Sequence, residues 1–219
     1  MRVMAINGSP RKTWNTATLL EHALAGAAEQ GASTEMVHLY DLSYKGCKSC
    51  FACKLPQGKS YAQCAVDDAL GPVLRRITAC DALILGSPIY YGHVTGEMRS
   101  FLERLLFPLL RYDAQYRSLR KRDVPTAMVY TMNVDEAGAE AGNYPLVLGA
   151  MEAAVQRTLS GTPVRSLYVT DTYQFDDYEK YEITAFDGAH KAARRREIFP
   201  EDCRKARQLG ASLVQPASA

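Results

Sequence analysis

The sequence predicts an α/β fold: a five-stranded parallel sheet with helices on both faces. Three observations predict it. β-rich runs alternate with helical patterns along the whole chain. One run, 82–85, is continuously apolar (Ala-Leu-Ile-Leu), as in strands covered on both faces. Of 219 residues, 47% are hydrophobic, enough to fill a core.

Taken in order, residues 2–6 form the first strand, ending in Asn7-Gly8-Ser9-Pro10. Residues 15–30 carry Leu19, Leu20, Ala23, Leu24 and Ala27 at helical spacing, and Gly31 stops that helix. The second strand is 34–39. The connection 40–63, rich in Lys, Gly, Ser and Cys, is too long to be idle in a compact domain and reads as functional. Asp67 and Asp68 place two acids at the positive end of a helix running to about Thr78. The third strand, 81–85, ends in Gly86-Ser87-Pro88. From Thr95, residues Met98, Phe101, Leu102, Leu105, Leu106 and Leu109 make one apolar stripe, and Pro108 should end or kink that helix. A charged loop, 111–123, leads to the fourth strand, 124–132. Residues 143–159 read as helix, closed by Gly161 and Pro163, and 164–169 as the fifth strand. A second long connection, 170–190, is dense in Tyr and Asp. The last helix is 201–214, and the tail 215–219 is expected to fray. The whole chain, 1–219, reads as one domain with long insertions at 40–63 and 170–190.

Composition excludes several classes. Twenty-six Lys plus Arg against 24 Asp plus Glu give +2, without the basic excess of a nucleic-acid-binding domain. No apolar run approaches the roughly 18–20 residues of a membrane helix, and the first residues lack the apolar stretch of a secretory signal. A cytoplasmic protein without membrane or nucleic-acid partners is the expectation. Six cysteines suggest a disulfide framework, but Cys47, Cys50 and Cys53 crowd one segment and cannot all pair among themselves. They read as reduced thiols, a redox pair or metal ligands. Cys80 and Cys203 read as small core or surface residues.

Three segments carry chemistry. In Gly8-Ser9-Pro10-Arg11-Lys12-Thr13-Trp14-Asn15-Thr16, a loop enters a helix whose unpaired amides and positive dipole suit a phosphate. Ser9, Asn15 and Thr16 add neutral donors and Arg11 a charged one. The loop is neither a Walker A motif nor Gly-x-Gly-x-x-Gly; its plain alternative is a polar turn with a cap. In Gly86-Ser87-Pro88-Ile89-Tyr90-Tyr91-Gly92-His93, an Ile and two aromatics offer a flat wall for a planar heterocycle. The plain alternative is aromatics covering the sheet edge. Two matching Gly-Ser-Pro turns, ending strands one and three, suggest the two walls of one site at the switch point of strand order. Thr131 and Asn133, ending strand four, reach the same ligand or form a simple turn. His93 reads as a polar residue leading into a helix rather than an acid–base group.

These residues, with the helix Gly96-Glu97-Met98-Arg99-Ser100-Phe101-Leu102-Glu103-Arg104, resemble the flavodoxin-like NAD(P)H-dependent FMN reductase family, and in particular its iron–sulfur flavoprotein branch. The motifs cover about residues 1–110; the second half matches by strand order. The resemblance implies a flavodoxin-like three-layer fold of order 2-1-3-4-5. It implies that Ser9, Arg11, Asn15 and Thr16 hold the FMN phosphate. Pro88, Ile89, Tyr90, Tyr91 and Gly92 would line the isoalloxazine, with Thr131 and Asn133 near the ribityl chain or ring edge. NAD(P)H would be the co-substrate and a quinone, flavin or other small molecule the acceptor, with the flavin rather than any side chain carrying the chemistry. Homodimers or homotetramers are implied, and Phe107 to Leu110 suggest a subunit contact.

Cys47, Cys50, Cys53 and Cys64 lie where that branch carries its cysteines and supply the four thiolates of a 4Fe–4S cluster. Ten residues separate Cys53 from Cys64, a wider gap than that branch shows. No metal is therefore assigned. An iron–sulfur flavoprotein or flavodoxin-type electron carrier with a cluster on this loop stays as the alternative. The balanced charge argues against a carrier, which uses an acidic field to dock. The run Lys191-Ala192-Ala193-Arg194-Arg195-Arg196 reads as a solvated helix face, or as a grip on the 2′-phosphate of NADPH or a partner's acidic patch. A serine hydrolase is excluded for want of a Gly-x-Ser-x-Gly elbow.

Overall fold

The computed structural model describes residues 1–215; the expected fraying of 216–219 lies outside the described residues. The elements are β1 (Arg2–Asn7), α1 (Asn15–Glu29), β2 (Ser33–His38), α2 (Leu70–Ala79), β3 (Ala82–Tyr90), β4 (His93–Val94), α3 (Gly96–Leu109), β5 (Thr126–Thr131), α4 (Glu136–Ala141), α5 (Tyr144–Val155), β6 (Arg165–Val169), α6 (Gly188–Glu197) and α7 (Phe199–Val214). The parallel strands run β2-β1-β3-β5-β6, and β4 pairs antiparallel with β3. Counting the parallel strands alone, this is the expected 2-1-3-4-5 order; the sixth strand, β4, is an addition to the five expected.

Alternation within the strands divides the core in two. Met4, Ile6, Leu83, Leu85 and Met128 face α2, α3 and α5. Val3, Ala5, Ala82, Ile84, Ala127 and Val129 face α1 and α7. On the second face α1 and α7 pack backbone to backbone. A Cβ on Gly210 would meet the Ala23 carbonyl oxygen at 1.8 Å, and one on Gly26 the Arg207 carbonyl oxygen at 1.9 Å.

Several expectations are corrected. The second Gly-Ser-Pro is not a turn, because β3 continues through it to Tyr90 and pairs Pro88 with Thr131. Leu83 N–H donates to the Pro125 carbonyl on the β5 side, so alternate residues turn their amides toward β1. Pro88 therefore directs its missing donor to the side where β1 has already ended at Asn7. The turn comes at Tyr91 and Gly92, both at positive φ (51° and 79°), the two-residue geometry that matches strand twist. The helix expected over 143–159 is α5, running into a π-helical turn at Gln156–Ser160, and α4 precedes it on an Asp135 cap. α6 shortens the second long connection, and α7 starts before 201, because Pro200 sits in its first turn where no amide is needed. Pro108 lies one residue before the end of α3, as expected.

The long connection after β2 runs along α3. Tyr44 donates to the Glu97 carbonyl at 2.6 Å, Cys47 N–H to Glu103 Oε2 at 3.1 Å, and Lys54 to the terminal α3 carbonyls of Phe107 and Pro108 and to that of Leu110 just beyond. The Arg104 side chain is fully buried and binds Asp68, the Lys45 and Val66 carbonyls and the Cys64 sulfur. Burial opposes charge on Asp68, but the Arg104 fork outweighs it and holds the carboxyl below its ordinary range.

Candidate functional site

A cleft opens beyond the carboxyl ends of β1, β3 and β5. Ser9, Arg11, Asn15 and Thr16 line one wall, Pro88, Ile89 and Tyr90 a second, and Thr131 and Asn133 a third. Tyr91 and Gly92 do not line it; they form the tip of the β3–β4 hairpin, where Tyr91 is fully exposed. Trp14, Met132, Thr172 and Gln174 also line the cleft.

The first wall is shaped by short local bonds. Ser9 N–H donates to Asn7 Oδ1 at 3.0 Å and Arg11 N–H to Ser9 Oγ at 3.1 Å, closing the turn after β1. Thr95 caps α3 and donates to the Gly8 carbonyl at 2.7 Å, while Thr95 N–H donates to Ser87 Oγ at 3.0 Å. One threonine thereby stitches both Gly-Ser-Pro segments together. α1 begins without a side-chain cap and without an acid in its first turn, so its positive end is left for an anion. The buried hydroxyls of Thr16 and Thr131 share a hydrogen bond of 2.8 Å.

The segment after β6 crosses this wall. Trp14 Nε1 and Asn15 Nδ2 both donate to the Tyr173 carbonyl, at 3.1 and 2.7 Å, and Arg11 donates to the Gln174 carbonyl. Trp14 stacks on Tyr173 with ring centroids 6.3 Å apart. Asn133 presents a buried Oδ1 that has no hydrogen-bond partner. Its backbone carbonyl accepts from Lys191, which pairs with Asp171. Burial opposes charge on Asp171, yet Lys191 and His190 hold its carboxyl low. The basic run is thus not a solvated face: Lys191 is buried and Arg195 donates to Asn15 Oδ1 at 2.7 Å.

The donor set fits FMN. An open helix N-terminus with Ser9, Arg11 and Thr16 suits a phosphate dianion, Ile89 and Tyr90 give an apolar and aromatic wall, and Asn133 Oδ1 is an unused acceptor. His93 lies outside the cleft, on a groove between α3 and α5 that Phe107 and Leu110 also line.

Cys47, Cys50, Cys53 and Cys64 line one small cavity beside Arg104. Arg104 Nε donates to Cys64 Sγ at 3.3 Å, and burial pushes the Cys53 thiol up. Among the described residues, no three Cys, His, Asp or Glu side chains converge tightly enough to hold a single metal ion.

The profile of the family described as NADPH-dependent FMN reductase matches residues 1–158. An iron-sulfur flavoprotein of Archaeoglobus fulgidus is 32% identical over 155 residues, covering 71% of each chain. One of Methanocaldococcus jannaschii is 36% identical over 104 residues, 48% of this chain and 51% of that relative. Among solved structures, an NAD(P)H:quinone oxidoreductase from Methanothermobacter marburgensis aligns over 97% of this chain and 98% of its own, with a TM-score of 0.70 at 13% identity. An FMN-dependent NADH-azoreductase of Bacillus anthracis, solved with FMN, aligns over 98% and 100% with a TM-score of 0.67 at 9% identity. At these identities the structural likeness shows the flavodoxin-like fold alone.

Proposed function

The chain belongs to the NADPH-dependent FMN reductase family, and from that premise we propose that its cleft binds FMN and works as an NAD(P)H oxidoreductase serving a small-molecule acceptor of the quinone class. When bound, FMN would supply the chemistry of hydride and electron transfer. The chain's own residues bind, orient and exclude water. Ser9, Arg11, Thr16 and the first amides of α1 take the phosphate, with Asn15 oriented beside them. Pro88, Ile89 and Tyr90 line the ring, and Tyr91 and Gly92 fix the hairpin that carries it. Thr131 closes the floor, and Asn133 Oδ1 accepts from a ring N–H. The observation that carries this reading is the uncapped, acid-free start of α1, opening beside that orphaned acceptor.

The test is anaerobic mixing of the FMN-loaded protein with NADPH or NADH. Prompt loss of the flavin's visible absorption supports a reductase. Loss only after a separate reductase is added identifies an electron carrier instead.

The shared thiol cavity favours a second element, a 4Fe–4S cluster held by Cys47, Cys50, Cys53 and Cys64 and supplying one-electron transfer. Iron and labile sulfide in protein purified without oxygen support it if Cys50→Ala removes both; their absence from the wild type ends it.

A second copy of the chain is proposed to cover α5, which carries a single charged residue, Glu152, and leaves Pro145, Leu146, Ala150 and Ala153 exposed. Sedimentation showing only monomer overturns that. Among the described residues no helix is long and apolar enough to cross a membrane. One flavin-binding domain in the cytoplasm is proposed, where its cysteines, none of them in a disulfide, stay reduced.

A further inference from the structure

The basic run at the start of the C-terminal helical pair faces inward. Lys191 and Arg195 stand four apart, on one face of α6, and reach two different walls of the cleft. Lys191 holds the Asn133 carbonyl, and Arg195 Nη1 holds Asn15 Oδ1 at 2.7 Å. Arg194 is spent on Asp202 of α7, 2.7 Å away, and the Arg195 guanidinium lies over the Phe199 ring at 4.0 Å. Of the four basic residues, only Arg196 stays at the surface.

We infer that Arg195 is a positioning residue for the phosphate end of the flavin, acting through Asn15. The inference rests on the FMN reading above. A side-chain amide at the first position of α1 can present either its oxygen or its NH2 toward an anion. Arg195 claims the oxygen, so the NH2 is left as the donor beside the phosphate loop, where it now meets the Tyr173 carbonyl. Without Arg195 the amide is free to turn its oxygen toward the phosphate, and a positive charge one side chain away is lost. The stacking on Phe199 and the packing of α6 against α7 hold the guanidinium in this geometry. The run therefore serves the flavin, and Arg195 does not read the 2′-phosphate of NADPH.

Titration with FMN and with riboflavin, which has the same ring but no phosphate, tests this. Arg195→Met should weaken FMN binding about tenfold or more while leaving riboflavin affinity near wild type. The milder Arg195→Lys, which keeps the charge but not the planar fork, should fall between. Equal losses for both flavins, or none for FMN, overturn the inference. So does a rise in KM for NADPH without one for NADH, which would return Arg195 to the nucleotide phosphate. A wild-type chain that binds neither flavin overturns the FMN reading itself, and this inference with it.

Discussion

The hydroxyls of Thr16 and Thr131 lie 2.8 Å apart, both buried, and join the first turn of α1 to the end of β5. They are 115 residues apart in sequence, and their bond closes the floor of the cleft between the phosphate wall and the Asn133 wall. Thr131→Val keeps the shape and strands the Thr16 hydroxyl. It should cost about 1–3 kcal/mol of stability, the penalty of an unpaired buried hydroxyl, read as a lower melting temperature, and should loosen FMN. Full FMN affinity in this variant would show that the floor does not matter to the ligand.

Arg11→Ala removes the charged donor that the β1–α1 loop turns into the cleft; its neighbour Lys12 is paired with Asp41 instead. The contacts it loses, to the Gln174 carbonyl and the Trp14 ring 5.4 Å away, are exposed or partly so, and the fold should barely notice. FMN should be retained about ten times less well, the loss expected for a charged hydrogen bond. Unchanged FMN content after dialysis counts against the phosphate role.

Asp68 gives a pH signature. Its folded carboxyl is held below the ordinary value by Arg104, so its contribution is complete above the unfolded value of about 3.9 and is lost as pH falls through the lowered folded value. Melting temperatures between pH 6 and pH 3, by order of magnitude the carboxylate range, should fall more steeply in wild type than in Asp68→Asn. Arg104→Leu should destabilise far more, by about 3–5 kcal/mol, since it leaves a partly buried carboxylate unpaired. Parallel curves for wild type and Asp68→Asn would remove Asp68 from acid unfolding.

Glu152 gathers three donors on one oxygen: Ser166 Oγ at 2.6 Å, Tyr130 OH at 3.0 Å and Tyr168 OH at 3.2 Å. Burial, with the carboxylate beside them, pushes both phenols well above the usual tyrosine value. Glu152→Leu should destabilise by about 1–3 kcal/mol because the Tyr130 hydroxyl, fully buried, loses its partner. Tyr130→Phe in the same background should recover part of that loss. A further fall would contradict the hub.

Much of this architecture was legible in the sequence. Strand one, the apolar 82–85 run and the loop from Ser9 to Thr16 announced two walls of the cleft because each depends on local pattern. The second Gly-Ser-Pro misled because Gly and Pro are turn residues by composition. Only the early end of β1 makes Pro88 harmless within β3. The contacts of the Tyr173 and Gln174 carbonyls with Trp14, Asn15 and Arg11 leave no local pattern, because they join segments 158 to 163 residues apart. Arg195 was read as solvated because a run of charge says nothing of which helix face meets the core. That face is set by α7 packing on α1, through glycines whose closeness to a backbone 180 or so residues away no local pattern records.

The central claim is that FMN sits against the β1–α1 loop. Trp14, the single tryptophan of the chain, lines that cleft, so its fluorescence reports the site directly. Titrating FMN into the flavin-free protein should quench Trp14 saturably, with a matching rise in melting temperature. Fluorescence and melting temperature that stay unmoved by FMN would contradict the account.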